Sequence, residues 1–246
     1  MRSYNDYFYP GTGTLQNTLG IQDPDKLQEA EAALTAARMR QPIGPVALSP
    51  EGMQTIHRHI FQDVYPWAGK FRTVDMIKPT GPGQPDVTFA PGAHVERVEM
   101  PRFYQELRHD VEVGRAFDNL DARTFSYRAS VYLADLNRIH PFPEGNGRTQ
   151  RVFLEHLAAR SGHTLDHRRI DREGWIGASI ESYGQAWFDQ HGRMTELGRH
   201  EKMTACIEKA IVPPREREIG SRVDRLRERY AREQGAQRDR GGDRER

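Results

Sequence analysis

The chain has 246 residues, room for one substantial domain with an appendage or for two small ones. With 36% hydrophobic and 29% charged residues and a net charge of +1, nothing in the total demands a nucleic acid or an anionic membrane. No apolar run approaches the ~20 residues of a membrane span, and the single cysteine, Cys206, excludes an intrachain disulfide and points to a reducing compartment.

In chain order, residues 1–22 are rich in Tyr, Gly, Thr and Asn and read as an irregular leader that packs its aromatics; they contain no signal-peptide core, so the expected location is the cytoplasm. Asp23-Pro24 caps and opens a helix that runs to about Arg40, where Pro42 to Pro45 break the chain. Ser49-Pro50-Glu51 opens a second helix with Met53, Ile56, Ile60, Phe61 and Val64 as its apolar stripe. Phe71, Val74, Met76 and Ile77 form a strand-like run, Pro79 to Gly83 turns the chain, and Val87 to Ala90 returns, which predicts a β-hairpin. A hairpin alone is marginal, so it must lie against helices.

Further helices are expected at about 94–112, 121–139, 148–161, 171–184 and 193–211, the last stopped by Pro213-Pro214. From Pro213 onward the chain holds 11 Arg against 8 acidic residues, and residues 234–246 carry no large apolar side chain. That tail reads as a solvated helix or a disordered segment. The expectation is an all-α helical bundle with one small hairpin, divided into residues 1–49, a core over 50–212 with the hairpin at about 71–91, and the tail 213–246. The nearly balanced charge of the tail, with no aromatic platform beside it, argues against nucleic-acid binding.

The chemistry concentrates in His140-Pro-Phe-Pro-Glu-Gly-Asn-Gly-Arg-Thr-Gln-Arg151. Pro141 and Pro143 stiffen the exit from a helix, and Phe142 between them should anchor the loop in the core. Gly145 and Gly147 flank Asn146 and let successive N–H groups converge on an anion, at the positive end of the helix that follows. Arg148 and Arg151 share one face of its first turns, with forks suited to phosphate oxygens. Glu144 is the odd member, because a carboxylate repels phosphate. A divalent cation such as Mg²⁺ between them removes the conflict. His140 titrates near neutrality and is the candidate general base.

At every defined position this stretch resembles the motif of the Fic family, His-x-Phe-x-Asp/Glu-Gly-Asn-Gly-Arg-x-x-Arg. Looser similarity covers about residues 1–190, including Ile56-His57-Arg58, the tract Val64-Tyr65-Pro66-Trp67-Ala68-Gly69-Lys70 and Arg72. The resemblance implies a helical Fic fold with a hairpin flap, and an enzyme that transfers AMP from ATP to a Ser, Thr or Tyr hydroxyl of a target protein. Other phosphate-linked groups, UMP, GMP or phosphocholine, and a silent phosphate-binding module are the alternatives. On that resemblance His140 is the base, Glu144 holds Mg²⁺, and Gly145, Asn146, Gly147, Arg148 and Arg151 bind the phosphates. Tyr183 lies beside the nucleotide, and Val74, Met76, Ile77, Lys78 and Phe89 of the flap align the target.

Gly147 separates the chain from a related branch that phosphorylates its targets and carries lysine there. The family's inhibitory helix, Ser/Thr-x-x-x-Glu-Gly/Asn, has no full match. Its nearest counterpart, Thr204 to Glu208 followed by Lys209, reads as a structural helix, which leaves a small antitoxin-like inhibitor acting in trans as the expected restraint. An Arg-rich tail also fits a signal for translocation into another cell.

Overall fold

Three of the helices start at side-chain caps written in the sequence. In the computed structural model, which describes residues 3–78, 87–113, 117–183 and 200–213, Asp23 accepts from the N–H groups of Asp25 and Lys26 and opens α1 (Pro24–Met39). Ser49 accepts from Gly52 and opens α2 (Pro50–Phe61), and Asp121 accepts from Thr124 and opens α5 (Ala122–Ile139). Between them the chain runs through a short α3 (Gly92–His94), a π turn at Val95–Glu99 and α4 (Met100–Arg108), which ends in a second π turn at His109–Val113. The first π turn carries Glu99 to Arg138 of α5 at 2.6 Å and to Arg102 at 3.3 Å, an ion-pair cluster that ties α4 to α5.

After α5 come α6 (Asn146–Arg160), α7 (Arg172–Tyr183) and α8 (Glu201–Ala210). α5 packs on α6, α7 and α8, while α2 lies between α1 and α6. One core joins them, with Phe61, Val64, Leu107, Phe125, Leu136 and Phe142 among its fully buried members. Burying each such side chain contributes roughly 1.5–3 kcal/mol. The leader packs as expected: Tyr7 is buried, and the Tyr4 hydroxyl donates to the Pro143 carbonyl at 3.0 Å.

Among the described residues the hairpin's ladder covers less than the apolar pattern predicts, pairing β1 (Ile77–Lys78) with β2 (Val87–Thr88) in antiparallel fashion with Ile77 opposite Thr88. Phe71, Val74 and Met76 are buried core residues on irregular chain rather than one face of a strand. Arg72 explains why. It is fully buried, and its guanidinium takes the carbonyls of Val74 (2.7 Å), Ala90 (2.5 Å) and Ile139 (2.9 Å), so the segment cannot offer them to a ladder.

Among the described residues no helix is long and apolar enough to cross a membrane. The tail beyond Val212–Pro213, the hairpin turn at 79–86 and the first part of the helix expected at 193–211 lie outside the described residues.

Candidate active site

The site begins where α5 ends. His140 is its C-cap in the left-handed region, at φ 47° and ψ 63°, and its N–H closes onto the Leu136 carbonyl at 2.9 Å. A non-glycine residue in this region is strained and persists only when its surroundings hold it. Arg72 does so twice: Nε donates to the His140 carbonyl at 2.8 Å and the backbone N–H donates to the Pro141 carbonyl at 2.9 Å. Phe89 stacks on the imidazole with centroids 4.0 Å apart, and Lys78 Nζ lies 3.3 Å from Nε2. Burial and the charges of Lys78 and Arg72 hold the His140 pKa well below the ordinary imidazole value, so the ring is neutral near pH 7.

Beyond it, Phe142 is fully buried and stacks on His57 at 3.8 Å. Asn146 is 4% exposed, and its amide spans the loop by accepting from Phe142 N–H at 2.9 Å and donating to the Phe142 carbonyl at 2.8 Å. The motif places Asn146 among the anion-binding groups. Its side chain braces the loop, and its backbone N–H is one of those left without an intrahelical partner at the start of α6.

His57, known from sequence only as part of a family-like tract, is a second brace. Gly69 N–H donates to Nδ1 at 2.9 Å, so Nε2 carries the proton and donates it to the Glu144 carbonyl at 3.0 Å. Burial pushes the His57 pKa down to about 3 from 6.5. The unfolded chain therefore takes up this proton near pH 6.5 while the folded chain refuses it until about pH 3. Stability from this residue should be constant above that window and fall by about 1.4 kcal/mol per pH unit on acidification through it. Urea midpoints at about pH 7 and about pH 5 check this, and equal midpoints would refute it.

The two glycines serve different ends. Gly145 has φ +83°, and a Cβ there would stand 2.2 Å from the Phe61 ring, whereas a Cβ on Gly147 would meet nothing within 4 Å. Gly145→Ala should therefore cost at least ~2 kcal/mol of stability. Gly147→Ala should melt like the parent yet bind nucleotide poorly, because the added methyl points into the cleft described next. Paired melting curves and nucleotide titrations separate these outcomes, and a Gly147→Ala protein with parental affinity would contradict the second.

Two cavities meet at this loop. One, of about 670 Å³, is charged and is lined by Glu31, Glu144, Gly145, Arg148, Arg151 and Arg172 among others. The second, of about 420 Å³, is mostly apolar and is lined by Phe89, His140, Gln150, Trp175, Ile176 and Ile180 among others. Lys78, Gly147, Trp175 and Ile176 border both.

In the charged cavity, Arg148 bonds Thr35 Oγ1 at 3.1 Å, pairs closely with Glu31 of α1 and lies 4.7 Å over the Phe61 ring. The Tyr65 hydroxyl also bonds Glu31. Arg151 is different: its Nε is buried without a hydrogen-bond partner among the described residues, and burial followed by repulsion from Arg148 lowers its pKa. Two neighbouring guanidiniums, one with an unsatisfied donor, favour a bound anion.

Glu144 accepts from Gly145 N–H through Oε1 at 2.8 Å and lies 3.7 Å from Arg148, which leaves Oε2 without a hydrogen bond among the described residues. No group of three or more metal-ligating side chains occurs among the described residues. One free carboxylate oxygen facing a phosphate-sized cavity fits Mg²⁺, which is commonly held by one or two carboxylates, substrate phosphates and water.

The structure thus brings together His140, Glu144, Gly145, Asn146, Gly147, Arg148 and Arg151, with Lys78 and Phe89 reaching them from the hairpin. Val74 and Met76 are buried, at 6% and 1% exposure, so their side chains are not presented at the surface of the hairpin. Ile77 is 55% exposed at the hairpin edge. The Tyr183 side chain lies outside the described residues. Glu208 pairs with Arg123 on α5 at 3.3 Å, and Thr204 bonds Ser130 at 3.1 Å. It is a fastener between α8 and α5. Glu31 was not visible as a site residue in the sequence, because no local pattern marks a glutamate 117 positions from the arginine it holds.

The molecule is a helical bundle whose inter-helix loop carries a histidine, a carboxylate, two glycines and paired arginines beside a hairpin. The Fic/DOC family model matches residues 47–158. Protein adenylyltransferase VbhT of Bartonella schoenbuchensis is 38% identical over 193 residues, covering 74% of this chain and 37% of that protein. The Salmonella typhimurium protein named "Probable protein adenylyltransferase Fic" is 32% identical over 213 residues, covering 86% of this chain and 94% of that one. The solved structure of BepC, a VirB-translocated effector of Bartonella tribocorum with bound AMPPNP, is 26% identical with a TM-score of 0.67, covering 85% of this chain and 97% of that chain. The chain belongs to the Fic/DOC family and has the Fic fold.

Proposed function

We propose that this chain is a protein adenylyltransferase that moves AMP from ATP to a Ser, Thr or Tyr hydroxyl of a target protein and releases pyrophosphate. The observation that carries the reading is the junction of the two cavities at Gly147, beside His140. An apolar cavity suits a nucleobase and a cationic one suits phosphates, so a nucleotide lying across the seam places its first phosphate next to the base. The names of the Bartonella and Salmonella relatives and the AMPPNP in BepC support the same choice.

In this scheme the target hydroxyl gives its proton to His140 Nε2 as its oxygen attacks the α-phosphorus. The bond from that phosphorus to the bridging oxygen breaks, and pyrophosphate departs. Backbone N–H groups at the start of α6 hold the oxygens of the transferred group, and Arg148 and Arg151 hold the outer phosphates. Glu144 would hold Mg²⁺, which supplies charge neutralisation at the leaving phosphates. The exposed hairpin edge at Ile77 and Val87 would align an extended target segment by strand addition. The core at 50–212 is the catalytic unit, with 1–49 supplying Glu31 and Thr35 to it. Restraint comes from a small antitoxin-like protein in trans, and the chain works in the cytoplasm, its own or that of a cell into which it is delivered. Labelled ATP incubated with the chain and a cell lysate tests the reading. Label on protein that requires Mg²⁺ is expected, and its absence at any enzyme concentration would overturn the proposal.

A further inference from the structure

Lys78 stands in an unusual place for a residue expected to dock the target. Its ammonium lies 3.3 Å from His140 Nε2, and His140 also makes a hydrogen bond to the Asn137 backbone. An ammonium can only donate, so the neutral ring carries its proton on Nδ1, and the Nε2 lone pair that a substrate hydroxyl would use now accepts from Lys78. Lys78 also borders both cavities, at the seam where the reacting phosphate would lie. A base whose lone pair accepts from an ammonium cannot at the same time accept from a hydroxyl.

We propose that Lys78 is a positioning residue for the base: it caps Nε2 and hands its hydrogen bond to an oxygen of the transferred phosphate, which frees the lone pair as the nucleotide seats. This rests on the adenylyltransferase reading above. The reacting bonds are those already given, and Lys78 keeps its own proton throughout. An ammonium at the seam also stays beside the oxygens on which charge develops during transfer.

Lys78 is the charge that reaches the ring nitrogen itself, while Arg72 adds a smaller repulsion. Arg72 binds the His140 carbonyl from behind. Arg138 on α5 is engaged by Glu99 and Asp135. Phe89 covers one ring face, while α6 offers Asn146 and Gln150 and α7 offers Trp175 and Ser179, none of them charged. Glu144 is the nearest acid of the loop, and it lies in the other cavity.

The test compares Lys78→Met and Lys78→Arg with the parent, using full-length chain, ATP and Mg²⁺. For Lys78→Met, kcat should fall by about 10- to 100-fold with KM for ATP little changed, Lys78→Arg should recover part of the loss, and the acid limb of kcat/KM should move to higher pH. NMR titration of the His140 ring should show the same upward move without any turnover, because a repelling charge has gone. If Lys78 only docks the target, KM for the target will rise while the His140 titration and the acid limb stay where they were, and the proposal fails. A parent that transfers nothing, with a His140 titration that still moves in Lys78→Met, would sink the adenylyltransferase reading and leave the Lys78 contact standing.

Discussion

His140→Ala should lose transfer activity by about 10²–10⁴-fold and keep its nucleotide affinity. The rate factor is the usual worth of a positioned general base. Affinity should persist because the proposed phosphate contacts are the start of α6, Arg148 and Arg151, none of which uses the imidazole. The fold should survive as well. Alanine at φ 47° keeps the strain the parent already carries and forfeits the Phe89 stack, roughly 0.5–1.5 kcal/mol, while the Arg72 bonds to the carbonyls remain. Radiolabel transfer, nucleotide titration and a melting curve on one preparation separate these terms. Because the His140 pKa is depressed, parental activity should hold as pH drops below 6.5 and fail only as the ring protonates. An Ala variant with parental rates would remove His140 from the mechanism.

Arg72→Met should be the most damaging change outside the loop. The guanidinium is 0% exposed and bonds the carbonyls of Val74, Ala90, Ile139 and His140, which joins the approach to β1, the exit from β2 and the end of α5. Methionine matches the volume and supplies no donor. Each buried carbonyl left unpaired costs about 1–3 kcal/mol, and partial relaxation brings the sum to roughly 3–5 kcal/mol. For a domain of this size that is a fall of about 6–20 °C in Tm, a large share of a stability of about 5–15 kcal/mol. Arg72→Lys should recover little, since an ammonium cannot reach the same acceptors as a planar fork. A Met variant melting within about 2 °C of the parent would show that the carbonyls find other donors.

How far the sequence could be read depended on how local the cause was. The starts of α1, α2 and α5 were legible because Asp23, Ser49 and Asp121 cap helices that begin at the next residue. The loop was legible for the same reason, with its chemistry packed between His140 and Arg151. The hairpin was not, because its length is set by a buried arginine 67 positions from the Ile139 carbonyl it binds. Val74 and Met76 are both interior between exposed Thr73 and Asp75, the alternation of a half-buried strand, and what the pattern could not show is that Arg72 takes the carbonyls a ladder would need. The π turns on either side of α4 left no mark in an apolar rhythm close to that of an ordinary helix. Asn146 was legible as a member of the loop but not in its role, because a side chain that closes a turn on its own backbone reads, in sequence, like one that faces a ligand.

The position of the transferred phosphorus tests the central claim most directly. The chain is incubated with Mg²⁺ and a target-containing lysate, in parallel with ATP labelled in the α-phosphate and ATP labelled in the γ-phosphate. Adenylyl transfer predicts label on protein from the α-labelled nucleotide alone, lost in His140→Ala. Label from the γ-phosphate would mean that the nucleotide lies the other way across Gly147, and that the chain phosphorylates its targets.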